Sequence, residues 1–148
     1  MFTAREIEKA TGGYVNSGVL RQWIMKGYIK AGPRVKLPGG PRSFSMREVI
    51  KAMLIAELRR SGFSLEGAGN AAEQIARHDD QRGSSVYWVL VDPRRSRVTP
   101  ITLSDGDLPF GQLVLTADSI LVLNYMNIKV RALRAHVWLA DLSGAADA

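Results

Sequence analysis

Eight cationic side chains and no acidic one lie between Glu8 and Glu48: Lys9, Arg21, Lys26, Lys30, Arg34, Lys36, Arg42 and Arg47. Like charges concentrated in this way repel one another, and a polyanion relieves the repulsion. Nucleic acid is the obvious candidate, through phosphate contacts and release of condensed counterions. The plainer alternative is the solvated basic face of an ordinary domain. The surplus is confined to one half of the chain. Residues 1–78 hold 13 basic and 6 acidic side chains, whereas residues 79–148 hold 7 and 8. Over all 148 residues the formal net charge is +6 and the isoelectric point is near 10.0.

Other chemistries lack their parts. A cysteine count of zero removes disulfides, zinc fingers, thiol catalysis and thiolate metal sensing, and fits a reducing cytosol. The two histidines, His78 and His136, stand far apart, and His78-Asp79-Asp80 matches no metal-ligand spacing. Gly62 and Gly67 have the glycine interval of a phosphate loop, but Ala68 stands where its lysine would be. Asp105-Gly106-Asp107 reads as a turn, because no glutamate closes a calcium-loop spacing. No Ser-His-acid grouping is legible. The chain is expected to be no enzyme, with no cofactor and no metal.

The elements that must carry the cations follow from caps, periodicity and breakers. A hydrophobic share of 46% against 23% charged marks a core-forming chain. No run of eighteen apolar residues predicts a membrane span, and the first residues do not look like a secretory signal. Thr3-Ala4-Arg5-Glu6 is a capping box, opening a short helix that Thr11-Gly12-Gly13 ends. Asn16 or Ser17 caps a second helix, with Val19, Leu20, Trp23 and Ile24 at helical spacing and Gly27 as its stop. Leu20 and Trp23 are assigned to the core. Between the breakers Gly32-Pro33 and Pro38-Gly39-Gly40-Pro41, the alternation Arg34-Val35-Lys36-Leu37 predicts a basic hairpin. Ser45-Met46-Arg47-Glu48 is a second capping box, and Val49, Ile50, Met53, Leu54 and Leu58 give its helix an apolar stripe to about residue 60.

A further helix is predicted from Leu65 to about Arg77, burdened by Gly67 and Gly69. The polar stretch 78–85 reads as a linker. Beyond it, Val86–Val91 and Arg97–Leu103 read as strands around the turn at Asp92-Pro93-Arg94-Arg95-Ser96. Gln112–Thr116 and Ser119–Leu123 are further apolar runs. Asn124 looks like the cap of an amphipathic helix to about Leu139, with Met126, Val130, Leu133 and Val137 along one face and Ile128 and Ala135 beside it. Residues 143–148 read as a tail. The fold class is therefore α+β: a winged helix-turn-helix with following helices over 1–77, then a small β-rich module over 86–142 closed by an amphipathic helix.

Residues 2–77 resemble the DNA-binding domain of the MerR family of transcriptional regulators. The resemblance rests on Phe2-Thr3 through Ala10-Thr11-Gly12, Leu20-Arg21-Gln22-Trp23, Lys26-Gly27-Tyr28-Ile29, Gly40-Pro41-Arg42-Ser43-Phe44-Ser45 and Ser61-Gly62-Phe63-Ser64-Leu65-Glu66, in that order. Departures are equally specific. Gly13-Tyr14 looks inserted, Gly18 stands where the family often has arginine, and Gln22 replaces a tyrosine. The family's long dimerisation helix is missing, and there is no thiolate set for metal sensing.

The resemblance implies a second helix in the major groove, its N-terminal end at the base edges. Asn16, Ser17 and Gly18 then stand at that end, with Arg21 one turn on and suited to a guanine edge or a phosphate. Gln22 points about 100° away from Arg21 round the helix. Lys26 follows at the helix end, while Arg34, Lys36 and Arg42 lie along the backbone from the wing, with Phe44 packing beside Arg42. The expected function is sequence-specific double-stranded DNA binding by a cytoplasmic, nucleoid-associated transcription regulator. The expected assembly is a homodimer, and by the family's promoter-distorting mechanism RNA polymerase is a further partner. The C-terminal module would serve dimerisation or signal input. The alternatives are an excisionase-type architectural or recombination factor, a phage DNA-packaging accessory protein, or a domain whose basic face takes an acidic protein.

Overall fold

The computed structural model describes residues 2–33, 41–82, 86–94, 97–102, 119 and 121–146. Within them the chain is α+β, with five helices and one three-stranded antiparallel sheet. Helix α1 (Ala4–Ala10) forms because its capping box is complete. Thr3 N–H donates to Glu6 Oε2 at 2.6 Å, and Glu6 N–H returns to Thr3 Oγ1 at 3.4 Å. Helix α2 (Ser17–Met25) is capped by Asn16, whose Oδ1 accepts from Val19 N–H at 3.0 Å. Leu20 and Trp23 turn inward, each 3% exposed. Gly27, at φ +82°, lets the chain leave α2 through a conformation that costs other residues strain.

Three distant segments pair beside these helices. Phe2 and Phe44 exchange backbone hydrogen bonds of 2.8 and 2.7 Å. Gly32 N–H donates to Ser43 O at 2.7 Å, and Ser43 N–H to Pro33 O at 3.3 Å. Residues 32–33 thus pair with residue 43, while Arg34, Lys36 and the rest of 34–40, on which the expected hairpin falls, lie outside the described residues.

Helix α3 (Met46–Arg60) is the centre of the core, with Val49, Met53, Leu54, Ile55 and Leu58 fully buried. Its capping box is only half made. Ser45 Oγ accepts from Glu48 N–H at 3.3 Å, but the Glu48 carboxylate turns away from Ser45. It accepts from Lys30 N–H at 3.0 Å and lies 3.4 Å from Lys51 Nζ. Lys51 is 2% exposed, and a buried ammonium without a counterion is far costlier than an uncapped N–H.

Helix α4 (Leu65–Arg82) runs beyond the expected stop near Arg77, so residues 78–82 are helix where a linker is expected. Its last turns find partners. Arg47 Nε donates to Asp80 at 3.0 Å, while Tyr125 Oη and Lys129 Nζ bond Asp79 at 3.0 and 2.6 Å. Residues 83–85 lie outside the described residues. Gly69 is not the weakness its propensity suggests, because it faces the ring of Tyr28. A Cβ there would come within 2.6 Å of Tyr28 Cε1. Gly69→Ala is therefore expected to destabilise the protein by about 1–3 kcal/mol through overpacking. Helix propensity alone predicts a gain of about 1 kcal/mol. Urea unfolding distinguishes the two by sign.

Strands β1 (Val86–Asp92), β2 (Arg97–Thr102) and β3 (Leu121–Asn124) form a sheet in the order β2-β1-β3. Asp92 Oδ1 accepts from Arg94 N–H at 3.0 Å and shapes the expected turn. The apolar run 112–116, Leu103 and the turn 104–107 lie outside the described residues, as do the side chains of Tyr87, Trp88, His136, Val137 and Trp138. Helix α5 (Tyr125–Ala146) begins where Asn124 Oδ1 accepts from Asn127 N–H at 3.0 Å. It continues through 143–146, placed in the tail by sequence, since Ala and Leu sustain a helix past Leu139.

The buried face of α5 is rotated from the expected stripe toward Ile128 and Ala135, which flank it. It is Tyr125, Ile128, Ala132 and Ala135, whereas Leu133 is 53% exposed. Tyr125 sets this rotation, being 1% exposed and tied to Asp79. α5 packs against α1, α3 and β1, while α4 packs on α3 and under β1 and β2. Buried side chains of both halves join in one cluster, from Phe2 to Ala135.

Ion pairs knit α3 to α4. Glu73 meets Lys51 Nζ at 2.8 Å and Arg47 Nη2 at 3.1 Å. The bond from Lys51 holds the Glu73 carboxyl down to about 2, and Arg47 helps it against the opposing effect of burial. A depressed carboxyl stabilises the fold above its unfolded value of 4.5, and this contribution drains away as pH falls toward 2. Glu73→Gln is expected to lower stability at neutral pH and to flatten the loss between pH 4.5 and 2. Parallel pH–stability curves for the two proteins would count against this pairing.

Candidate nucleic-acid interface

A cleft of about 530 Å³ opens between α2 and residues 41–44. Leu20, Ile24 and Phe44 contribute its apolar wall, and Ser17, Arg21 and Arg42 its polar groups. No acidic residue lines it among the described residues. Local structure explains how residues 21 positions apart come together. Asn16 sets where α2 starts, so Ser17 and Arg21 fall one turn apart on its outer side. Ser43 fixes the other wall. Its backbone pairs with Gly32 and Pro33, its Oγ donates to Pro33 O at 2.7 Å, and it is 2% exposed. Arg42, the residue before buried Ser43, is exposed at this wall. Neither Arg21 nor Arg42 makes an ion pair among the described residues, and both are exposed.

The other candidates divide. Asn16 caps α2, and Gly18 stands exposed in its first turn. Gln22 is exposed on α2 but does not line the cleft, which agrees with its offset from Arg21. Lys26 is exposed as the C-cap of α2. Phe44 is 1% exposed, so it supports the cleft wall from behind. Arg47 leaves the basic set altogether, because Glu48, Glu73 and Asp80 surround its guanidinium at 3.5, 3.1 and 3.0 Å. Lys9 lies elsewhere, in a second cavity at the far end of α1.

Two features escape the sequence. Met25, at the cleft, is 81% exposed, although its type suggests core. Glu48 ties the backbone at Lys30 to α3; in sequence it signals a capping box and the end of the acid-free stretch, and neither points to Lys30. No protein-family model matches this chain, and no curated protein matches it. Among the described residues no three His, Asp or Glu side chains gather to hold a metal ion, and no helix is long and apolar enough to cross a membrane.

Proposed function

We propose that this protein is a double-stranded DNA-binding transcription regulator of winged helix-turn-helix type. One observation carries the reading: Arg42 shares one cleft with Ser17 and Arg21 of the distant helix α2, with no acid among its described residues. In this reading α2 enters the major groove by its N-terminal end, where free backbone N–H groups and Ser17 meet a phosphate or a base edge. Arg21 reads a guanine or grips a phosphate, and Arg42 holds the flanking backbone from the wing root. Lys26 and Lys30 add diffuse attraction. Two copies bound as a homodimer would read two half-sites, and the α5–sheet half would supply that pairing or a regulatory input.

The apolar wall favours a second reading, in which an acidic, amphipathic segment of another protein fills the cleft. Selection of bound duplexes from a random pool at fixed salt separates them. A recurring motif with dyad symmetry supports the regulator. Recovery of no duplex above background, even at low salt, transfers the cleft to a protein partner. An unselective but strong affinity favours the architectural role.

A further inference from the structure

The second cavity lies where the ends of α1 and α3 meet α5. It holds about 440 Å³, and four cations line it: Lys9, Arg60, Arg131 and Arg134. No acid lines it among the described residues, and the small residues Ala10, Gly12 and Ala135 leave its wall open. The chain brings these cations together from three helices against their mutual repulsion. Structural duty accounts for part of the cluster. Arg60 Nη2 donates to Thr11 O at 2.8 Å, its guanidinium sits 5.0 Å from the Tyr14 ring, and this closes the end of α1.

Among the described residues, Arg131 and Arg134 are not fully matched by acids. Glu57 Oε1 alone serves two guanidiniums, Arg60 Nη1 at 3.0 Å and Arg131 Nη2 at 3.5 Å. Arg134, one turn beyond Arg131, is exposed and has no ion pair or hydrogen bond among the described residues. A concave site of this size is typical of small-molecule pockets, which run from about 300 to 1,000 Å³. Converging guanidinium forks match phosphate oxygens in geometry as well as charge.

We propose that this cavity binds a small phosphorylated molecule carrying at least two adjacent phosphate groups. The site shares no residue with the α2 cleft, so it stands whether or not that cleft binds DNA. A phosphate of the DNA backbone is the other source of the same chemistry, and the test separates the two. Inorganic pyrophosphate and inorganic phosphate are titrated calorimetrically into the full chain, into Arg134→Ala, into Arg134→Lys and into Arg21→Ala.

Pyrophosphate is expected to bind at a single site, at least tenfold more tightly than phosphate. Arg134→Ala should weaken it about tenfold, the loss of one charge-assisted hydrogen-bonding group. Arg134→Lys should restore part of the affinity, and Arg21→Ala should leave it unchanged. Pyrophosphate should also raise the melting temperature of the parent chain and much less that of Arg134→Ala. Arg134 is exposed and unpaired among the described residues, so its loss should leave the circular dichroism spectrum unchanged. Absence of saturable pyrophosphate binding overturns the proposal. So does equal loss in Arg21→Ala. A defect of Arg134→Ala in duplex DNA binding, with pyrophosphate affinity intact, also overturns it and assigns the cavity to the DNA backbone.

Discussion

Replacing Arg21 and Arg42 together by alanine is expected to weaken binding to a selected duplex by about 100-fold. Both side chains are exposed and take part in no ion pair among the described residues, so the fold should survive their removal. The two losses differ in kind. Arg42 is exposed beside buried Ser43, and in the proposed reading it meets the duplex backbone, so Arg42→Ala alone should weaken all duplexes alike. It should also reduce the slope of log affinity against log salt by about 0.9, one released counterion. Arg21 sits one turn into α2, and Arg21→Ala should relax preference at one base position as well. Gln22→Ala, off the cleft, should change affinity little. Anisotropy titrations over a salt series measure all four variants, and a double variant with parental affinity and slope removes the cleft from DNA binding.

The largest effect on stability is expected at Tyr125. Its ring is 1% exposed beneath the start of α5, and its hydroxyl donates to Asp79 at 3.0 Å. Burial, reinforced by the Asp79 carboxylate, pushes the phenol well above its ordinary range, so it remains a donor at working pH. Lys129 covers the ring at 4.7 Å and pairs with the same carboxylate at 2.6 Å. Tyr125→Ala leaves a cavity between α5 and the rest of the core and should cost about 3–5 kcal/mol. Tyr125→Phe keeps the volume and loses one hydrogen bond, at about 1 kcal/mol. Denaturant unfolding checks the pair. A cost below about 1 kcal/mol for the alanine variant is incompatible with α5 packed as described.

These two residues also mark where local sequence stops being informative. Arg21 is legible because a cap at Asn16 and a stop at Gly27 define α2, and helical spacing then assigns its faces. Thr3 and Glu6 define α1 for the same reason: their bonds span three residues. Arg42 is legible through the resemblance carried by Gly40-Pro41-Arg42-Ser43-Phe44-Ser45. Features fixed by distant partners are not. Nothing near His78 says that Arg47, Tyr125 and Lys129 await Asp79 and Asp80 and carry α4 to Arg82.

The same limit explains the helix faces and the charges. Along α5 the apolar residues permit several rotations, and Tyr125 bonding to Asp79 selects the one that exposes Leu133. Gly69 reads as a defect until the Tyr28 ring fills the space its missing side chain leaves. The acid-free stretch divides because acids from outside it, Glu48, Glu73 and Asp80, claim Arg47. Lys9, Arg60, Arg131 and Arg134 gather only through the packing of α5 on α1 and α3.

Backbone amide shift mapping by NMR reads directly which surface would meet DNA in the proposed function. On titration with a selected duplex, the amides of residues 16–22 and 41–44 are expected to shift most, with those of β1 and β2 unmoved. Shifts centred on the sheet, with residues 16–22 silent, would contradict it.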